Sequence, residues 1–228
     1  MFYTSIINTL KQRTNKVILF HSGTGKDSIA LCDILSKQFE KVVCIFMYLV
    51  PELDFENKYI TWAERKYSNI TFYKTPHFVL NSFIKRGYLG IKIKKSINNM
   101  TISKIDKMAR LKFNIDFSVY GMKKNDGFTR RIQLNAYKNG ICEATNKAYP
   151  LLDMKNSEVL NYISDNDLIH PFNYGGIKPS SGCDISNPEF LTYMRRYYPE
   201  DLKKIYNTFP MCEALLFKYD TYGEKIEA

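Results

Sequence analysis

Nine consecutive residues, Phe20-His21-Ser22-Gly23-Thr24-Gly25-Lys26-Asp27-Ser28, carry the densest chemistry in this chain. Two glycines let the backbone approach phosphate oxygens, Ser22, Thr24 and Ser28 add hydroxyl donors, and Lys26 adds positive charge. The apolar run Val17-Ile18-Leu19-Phe20 precedes the turn and reads as a buried parallel strand. Behind it, Ile29-Ala30-Leu31-Cys32-Asp33-Ile34-Leu35 has the spacing of a helix packed on a sheet. Strand, glycine turn and helix start together make an anion site, because the N–H groups of a first helical turn point at the ligand.

A second group lies further along: Gly121-Met122-Lys123-Lys124-Asn125-Asp126-Gly127-Phe128-Thr129-Arg130-Arg131. It leaves the strand-like Phe117-Ser118-Val119-Tyr120, and a glycine followed by cations at fixed offsets fits a second phosphate clamp. The elements between must bring the two groups together. Val42 to Val50 is long and apolar, as a central parallel strand should be, and Pro51 closes it. Phe55 to Tyr67 has helical spacing, Ile70-Thr71-Phe72-Tyr73 is a third strand, and Phe78 to Arg86 is a helix ending at Gly87. Residues 87–99 are basic and aperiodic, a loop or lid, and Thr101 to Lys112 suits another helix. Alternating strands and helices predict a doubly wound, mostly parallel, five-stranded sheet. With the order 3-2-1-4-5, ligands sit where the order reverses, between the first and fourth strands. The loops after Phe20 and Tyr120 then face one crevice.

The glycine turn is not a Walker A loop: Asp27 stands after Lys26 where a magnesium-binding Ser or Thr is needed, and position 20 is Phe20. It resembles the PP-loop of the adenine nucleotide α-hydrolase superfamily, nearest to the S-G-G-K-D-S form of the phosphoadenosine phosphosulfate (PAPS) reductase family, with one extra residue. Gly121, Lys123, Asp126 and Arg130 match that family's G-x-[KR]-x-x-[DE]-x-x-x-R segment. Tyr149-Pro150-Leu151-Leu152-Asp153-Met154 through Ile163 is similar to a further segment, with Met154 in place of its tryptophan, and reads as an amphipathic packing helix. The Pro- and Gly-rich run from His170 to Cys183 is similar to a loop that in some relatives holds a metal or cluster. Here Asp184-Ile185-Ser186 stands where a second cysteine would follow, so the expectation is no iron–sulfur cluster. Cys183 reads as a buried small residue or as a thiol activated by Lys178, and Cys212 lacks the E-C-G-L-H setting of the reductase nucleophile.

Composition narrows the partners. The 228 residues, 45% of them hydrophobic, can bury one core, divided by expectation into a nucleotide-binding domain over 1–165 and a loop plus helical extension over 166–228. No apolar run spans a bilayer, the start lacks a secretory pattern, and five scattered cysteines exclude a disulfide framework, which together suggest a cytoplasmic protein. The net charge is +10, and from Lys85 to Arg131 there are 13 cations against three acids, which accounts for all of the excess. Such a block suits a nucleotide, a nucleic acid or both, or is simply a solvated basic face.

The resemblance implies a small stand-alone protein of a type often encoded by bacteriophages. It would bind ATP, or PAPS or an adenylyl nucleotide, with magnesium at Asp27, and cleave between the α- and β-phosphates to adenylylate an acceptor. In that reading Ser22, Gly23, Thr24, Gly25, Lys26, Asp27, Ser28 and Gly121 bind the nucleotide, the strand end at Phe46, Met47 and Tyr48 offers backbone groups to adenine, and Lys26, Asp27, Lys123 and Arg130 act in catalysis. Two alternatives stand beside it: PAPS reduction through a thiol, and a non-catalytic nucleotide- or nucleic-acid-binding protein.

Overall fold

The strand β1 (Lys16–His21) lies at the centre of the sheet in the computed structural model, which describes residues 2–21, 23–172 and 184–223. It is preceded by helix α1 (Phe2–Lys11), whose Ile6, Ile7 and Leu10 form one buried stripe. Then follow α2 (Lys26–Ser36), β2 (Lys41–Tyr48), α3 (Asp54–Lys66), β3 (Ile70–Pro76), α4 (Leu80–Arg86) and α5 (Ile102–Phe113). The short β4 (Ser118–Tyr120) is followed by α6 (Phe128–Asn135), β5 (Ile141–Cys142), β6 (Lys147–Ala148) and α7 (Asn156–Asp165). Three further helices follow among the described residues: α8 (Pro188–Tyr197), α9 (Pro199–Thr208) and α10 (Met211–Tyr222).

The sheet order is β3-β2-β1-β4-β6-β5. β1 runs parallel to both neighbours, pairing His21 with Phe46 on β2 and Phe20 with Tyr120 on β4. The expected five strands are thus corrected to six. The first four places are as predicted, but the fifth belongs to β6, and β5 pairs with it antiparallel at the edge. Strands of two residues have no periodicity to read; their pairing comes from the turn between them rather than from pattern.

Helices cover both faces. α5 packs Ile105 and Ala109 against Ile18, Val43 and Ile45. On the other face α2 is buried along most of its length, and Ile29, Leu31, Ile34 and Leu35 each contribute on the order of 1.5–3 kcal/mol of apolar burial. Asp33, fully buried in α2, accepts hydrogen bonds from Tyr67 (2.7 Å), Tyr162 (2.6 Å) and Lys37 (2.7 Å), which ties α2 to α3 and α7. Burial pushes this carboxyl up, yet the three hydrogen bonds outweigh it and hold it below its usual value.

The three C-terminal helices join the same core: Phe190, Leu191, Met194, Ile205, Phe209 and Leu216 cluster with Phe55 and the α2 face. One contact is specific. Asp201 on α9 accepts a hydrogen bond at 2.8 Å from the backbone N–H of Phe55 in the first turn of α3, so a distant carboxylate caps that helix. No helix among the described residues is long and apolar enough to cross a membrane.

Candidate functional site

With β1 parallel to both β2 and β4, and with α2 and α5 on opposite faces of the sheet, the chain reverses its winding between β1 and β4. The loops leaving these strands meet at that point. Gly23 has φ +75°, and a Cβ on it would sit 2.4 Å from Cε2 of Phe46, so glycine is required both by the backbone and by the ring beneath. Gly25 is the N-cap of α2 and brings no side chain, while its carbonyl accepts from Ile29 N–H at 3.1 Å. Thr24 is buried, and its carbonyl accepts from the N–H of Phe172 at 3.1 Å, which ties the glycine turn to the segment after α7. Ser22 and Cys183 lie outside the described residues.

The second loop reaches the first through ion pairs. Lys123 is completely buried, with Nζ 2.5 Å from Oδ1 of Asp27 and 3.1 Å from Asp126. Lys26 lies 3.2 Å from the other oxygen of Asp27. Asp126 accepts the backbone N–H of Lys123 at 2.8 Å and lies 3.4 Å from Arg130. A continuous chain of alternating charge, Lys26–Asp27–Lys123–Asp126–Arg130, therefore links the start of α2 to the start of α6. Gly121 permits the approach, since a Cβ there would lie 3.1 Å from Cβ of Asp27. Charges held this way inside a protein are strongly coupled, because removing one leaves its buried partner uncompensated.

Seven of the sequence-predicted residues thus converge in the described structure: Gly23, Thr24, Gly25, Lys26, Asp27, Gly121 and Lys123, with Ser28 buried beside them and Arg130 at the rim. At the end of β2 the three candidates separate. The Phe46 ring is buried beneath Gly23 and serves packing. The carbonyl of Tyr48 accepts from His77 N–H at 2.8 Å, toward β3. Strand alternation then turns the Met47 backbone toward β1, beyond the last pair at His21, where it can face a ligand. Both oxygens of Asp27 lie against ammonium groups, an arrangement that does not fit a magnesium ion. Among the described residues no three His, Cys, Asp or Glu side chains are grouped to hold a metal.

The basic stretch also divides. Arg110 is committed to Asp106 and to the carbonyls of Asp116 (2.5 Å) and Asn146 (2.9 Å), which fixes β4 in place. Asp106 also accepts a short hydrogen bond from Ser118. Lys124 pairs with Asp153 at 2.6 Å. Lys92, Lys94, Lys95, Lys104, Lys107 and Arg131 are exposed. Segment 149–163 is core, with Tyr149, Leu151, Val159 and Ile163 buried, and Leu152 accepts from Lys124 N–H at 2.8 Å, tying it to the clamp loop. Cys212 is buried, and burial pushes its thiol up to about 12, which removes it as a thiolate nucleophile.

Sequence reasoning missed Glu56, in the first turn of α3, whose carboxyl is pushed up to about 8 by burial and then by Asp201. It also missed helix α6, where Phe128 and Ile132 stand exposed. A cavity of about 700 Å³ lies at the far end of α2, among Tyr3, Ile34, Lys37, Met154 and Tyr162, and includes none of the predicted site residues.

Residues 17–183 match the family described as Phosphoadenosine phosphosulfate reductase domain. No curated protein matches the chain. Two solved structures resemble it at low identity. One is the U34-tRNA thiolase NcsA from Methanococcus maripaludis with its 4Fe–4S cluster: 16% identity, TM-score 0.48, covering 99% of this chain and 80% of that one. The other is an NH3-dependent NAD synthetase from Campylobacter jejuni in complex with nitrate: 15% identity, TM-score 0.45, covering 100% of this chain and 97% of that one. The thiolase corrects the expectation that no iron–sulfur cluster accompanies this chain. That expectation rested on cysteine spacing in one loop, and spacing alone excludes nothing.

Proposed function

Because the chain belongs to the phosphoadenosine phosphosulfate reductase domain family, we propose that it is a PP-loop enzyme that binds ATP and adenylylates an acceptor. The observation that carries this reading is the buried Lys123–Asp27 pair, which joins the glycine loop after β1 to the basic loop after β4 at the winding reversal. A triphosphate laid along the start of α2 meets backbone N–H groups of the glycine turn, the ammonium of Lys26 and, at the rim, Arg130. Phosphate oxygens would replace the carboxylates of Asp27 and Asp126 as partners of Lys123. The Met47 carbonyl, past the end of β1, would accept from the adenine amino group.

In the reaction an acceptor oxygen attacks the α-phosphorus, the bond from that phosphorus to the bridging oxygen breaks, and pyrophosphate leaves with the electron pair. Lys26, Lys123 and Arg130 neutralise the charge that develops on the leaving group. A nitrogen or sulfur nucleophile then displaces AMP from the activated acceptor, a thiolation-type transfer. The basic stretch makes a nucleic acid the favoured acceptor. A reductase reading would need an activated thiol, and the buried, raised thiol of Cys212 disfavours that residue for the role.

Calorimetry with ATP, PAPS and adenylyl sulfate, together with pyrophosphate release in the presence of RNA or DNA, tests the proposal. ATP should bind, and Lys123→Gln should weaken binding at least tenfold. Preferential binding of PAPS with release of sulfite, or an ATP affinity indifferent to Lys123, would overturn it.

A further inference from the structure

Helix α6 begins one residue after the Lys123–Asp126 clamp and is the most exposed helix near the site: of its eight residues only Leu134 is buried. Phe128, with 76% of its surface exposed, and Ile132, with 58%, stand one turn apart on the same face. Arg131 lies on that face too, three positions after Phe128, and the helix carries no acid. Phe128 and Ile132 together form an exposed apolar patch, with the cation Arg131 beside it and no carboxylate on the helix that would attract a basic partner. The neighbouring Arg130, also exposed, pairs with Asp126 at 3.4 Å, and Arg131 is exposed beside Phe128.

We propose that this face of α6 is a stacking platform for single-stranded nucleic acid, resting on the adenylylation reading above and naming its acceptor class. A base splayed from its strand lies on the Phe128 ring, Ile132 extends the apolar floor, and Arg131 meets the adjacent phosphate. Duplexes cannot use the platform, because their base faces are already stacked. The net charge of +10, all of it arising between Lys85 and Arg131, supplies the long-range attraction, and Phe128 supplies the contact that charge alone lacks. The occupied platform places the strand beside the loop that holds the phosphates of the nucleotide, where an acceptor atom of the same strand can reach the α-phosphorus.

The test uses the full chain and fluorescein-labelled 12-mers of oligo-U, oligo-dT and a matched duplex, measured by anisotropy at several salt concentrations. Base–aromatic stacking predicts that Phe128→Ala weakens single-strand binding about 5- to 150-fold with an unchanged salt slope, and that Phe128→Trp restores it. Arg131→Gln should reduce the salt slope by about 0.7. Phe217→Ala, another exposed aromatic, on α10, should have no effect. Equal affinity for duplex, or indifference to Phe128, overturns the platform and leaves only a charged surface. A chain that dimerises in sedimentation and becomes monomeric in Phe128→Ala also overturns it, in favour of self-association. Calorimetric ATP affinity measured on the same variants separates the two proposals. If wild-type protein binds oligonucleotide but not ATP, the enzyme reading fails and the platform stands; if it binds ATP but not oligonucleotide, the reverse holds.

Discussion

Replacing Gly23 by alanine tests whether the glycine loop is moulded onto Phe46. The backbone at φ +75° costs an L side chain about 1–2 kcal/mol. The new Cβ would stand 2.4 Å from Cε2 of a ring that is 3% exposed, against ordinary contacts from 3.4 Å. The ring must therefore retreat by about 1 Å into packed surroundings, an overpacking cost of about 1–3 kcal/mol. The less flexible unfolded chain returns about 0.4–1 kcal/mol, so Gly23→Ala should destabilise by about 2–4 kcal/mol. Phe46→Ala alone removes a buried aromatic and should cost about 3–5 kcal/mol. In the double variant the clash is gone, and the sum of the single effects should exceed the measured value by about 1–3 kcal/mol. Urea unfolding followed by Trp62 fluorescence and far-UV circular dichroism supplies all three values. Additivity within about 0.5 kcal/mol would refute the reasoning, because it would mean that loop and ring do not touch.

Two further outcomes concern buried carboxyls. Asp33→Asn should cost about 1–3 kcal/mol, since the amide cannot accept all of the hydrogen bonds that Tyr67, Tyr162 and Lys37 give the buried carboxylate. The folded value of Asp33 is depressed from 3.8, so wild-type protein should lose this stability as pH falls below about 4, and an acid titration of urea midpoints should show a flatter limb in the variant. Glu56 has the opposite sign. Its folded value is raised from 4.5 to about 8, so between these limits the folded state keeps a proton that the unfolded chain releases, and stability falls as pH rises. Glu56→Gln should flatten that decline and be more stable at pH 8 by on the order of 2–4 kcal/mol; equal slopes in the two proteins would reject the assignment.

The central strands are legible in the sequence because parallel strands covered on both faces are continuous apolar runs, as Val17 to Phe20 and Val42 to Phe46 are. The site is legible for a related reason: glycines and cations at fixed offsets after a strand have few packing uses. The burial of Lys123 is not legible, because it depends on Gly121 letting the end of β4 close onto Asp27, a contact across 94 positions. The packing role of the Phe46 ring is not legible either, because it follows from the register opposite His21, which places the ring under the turn. β5 and β6 are too short to carry a pattern. Helix α6 escapes notice because Phe128 and Ile132 point away from the core, so its apolar spacing marks no buried face.

The hydrogen bond from Phe55 to Asp201 joins the beginning of α3 to a residue 146 positions later. During synthesis α3 emerges without its cap, and the N–H at its start waits until Asp201 has left the ribosome. The early strands can pair, but the layer above them closes only once α9 has emerged, a long-range dependence that slows maturation and exposes Phe55 meanwhile.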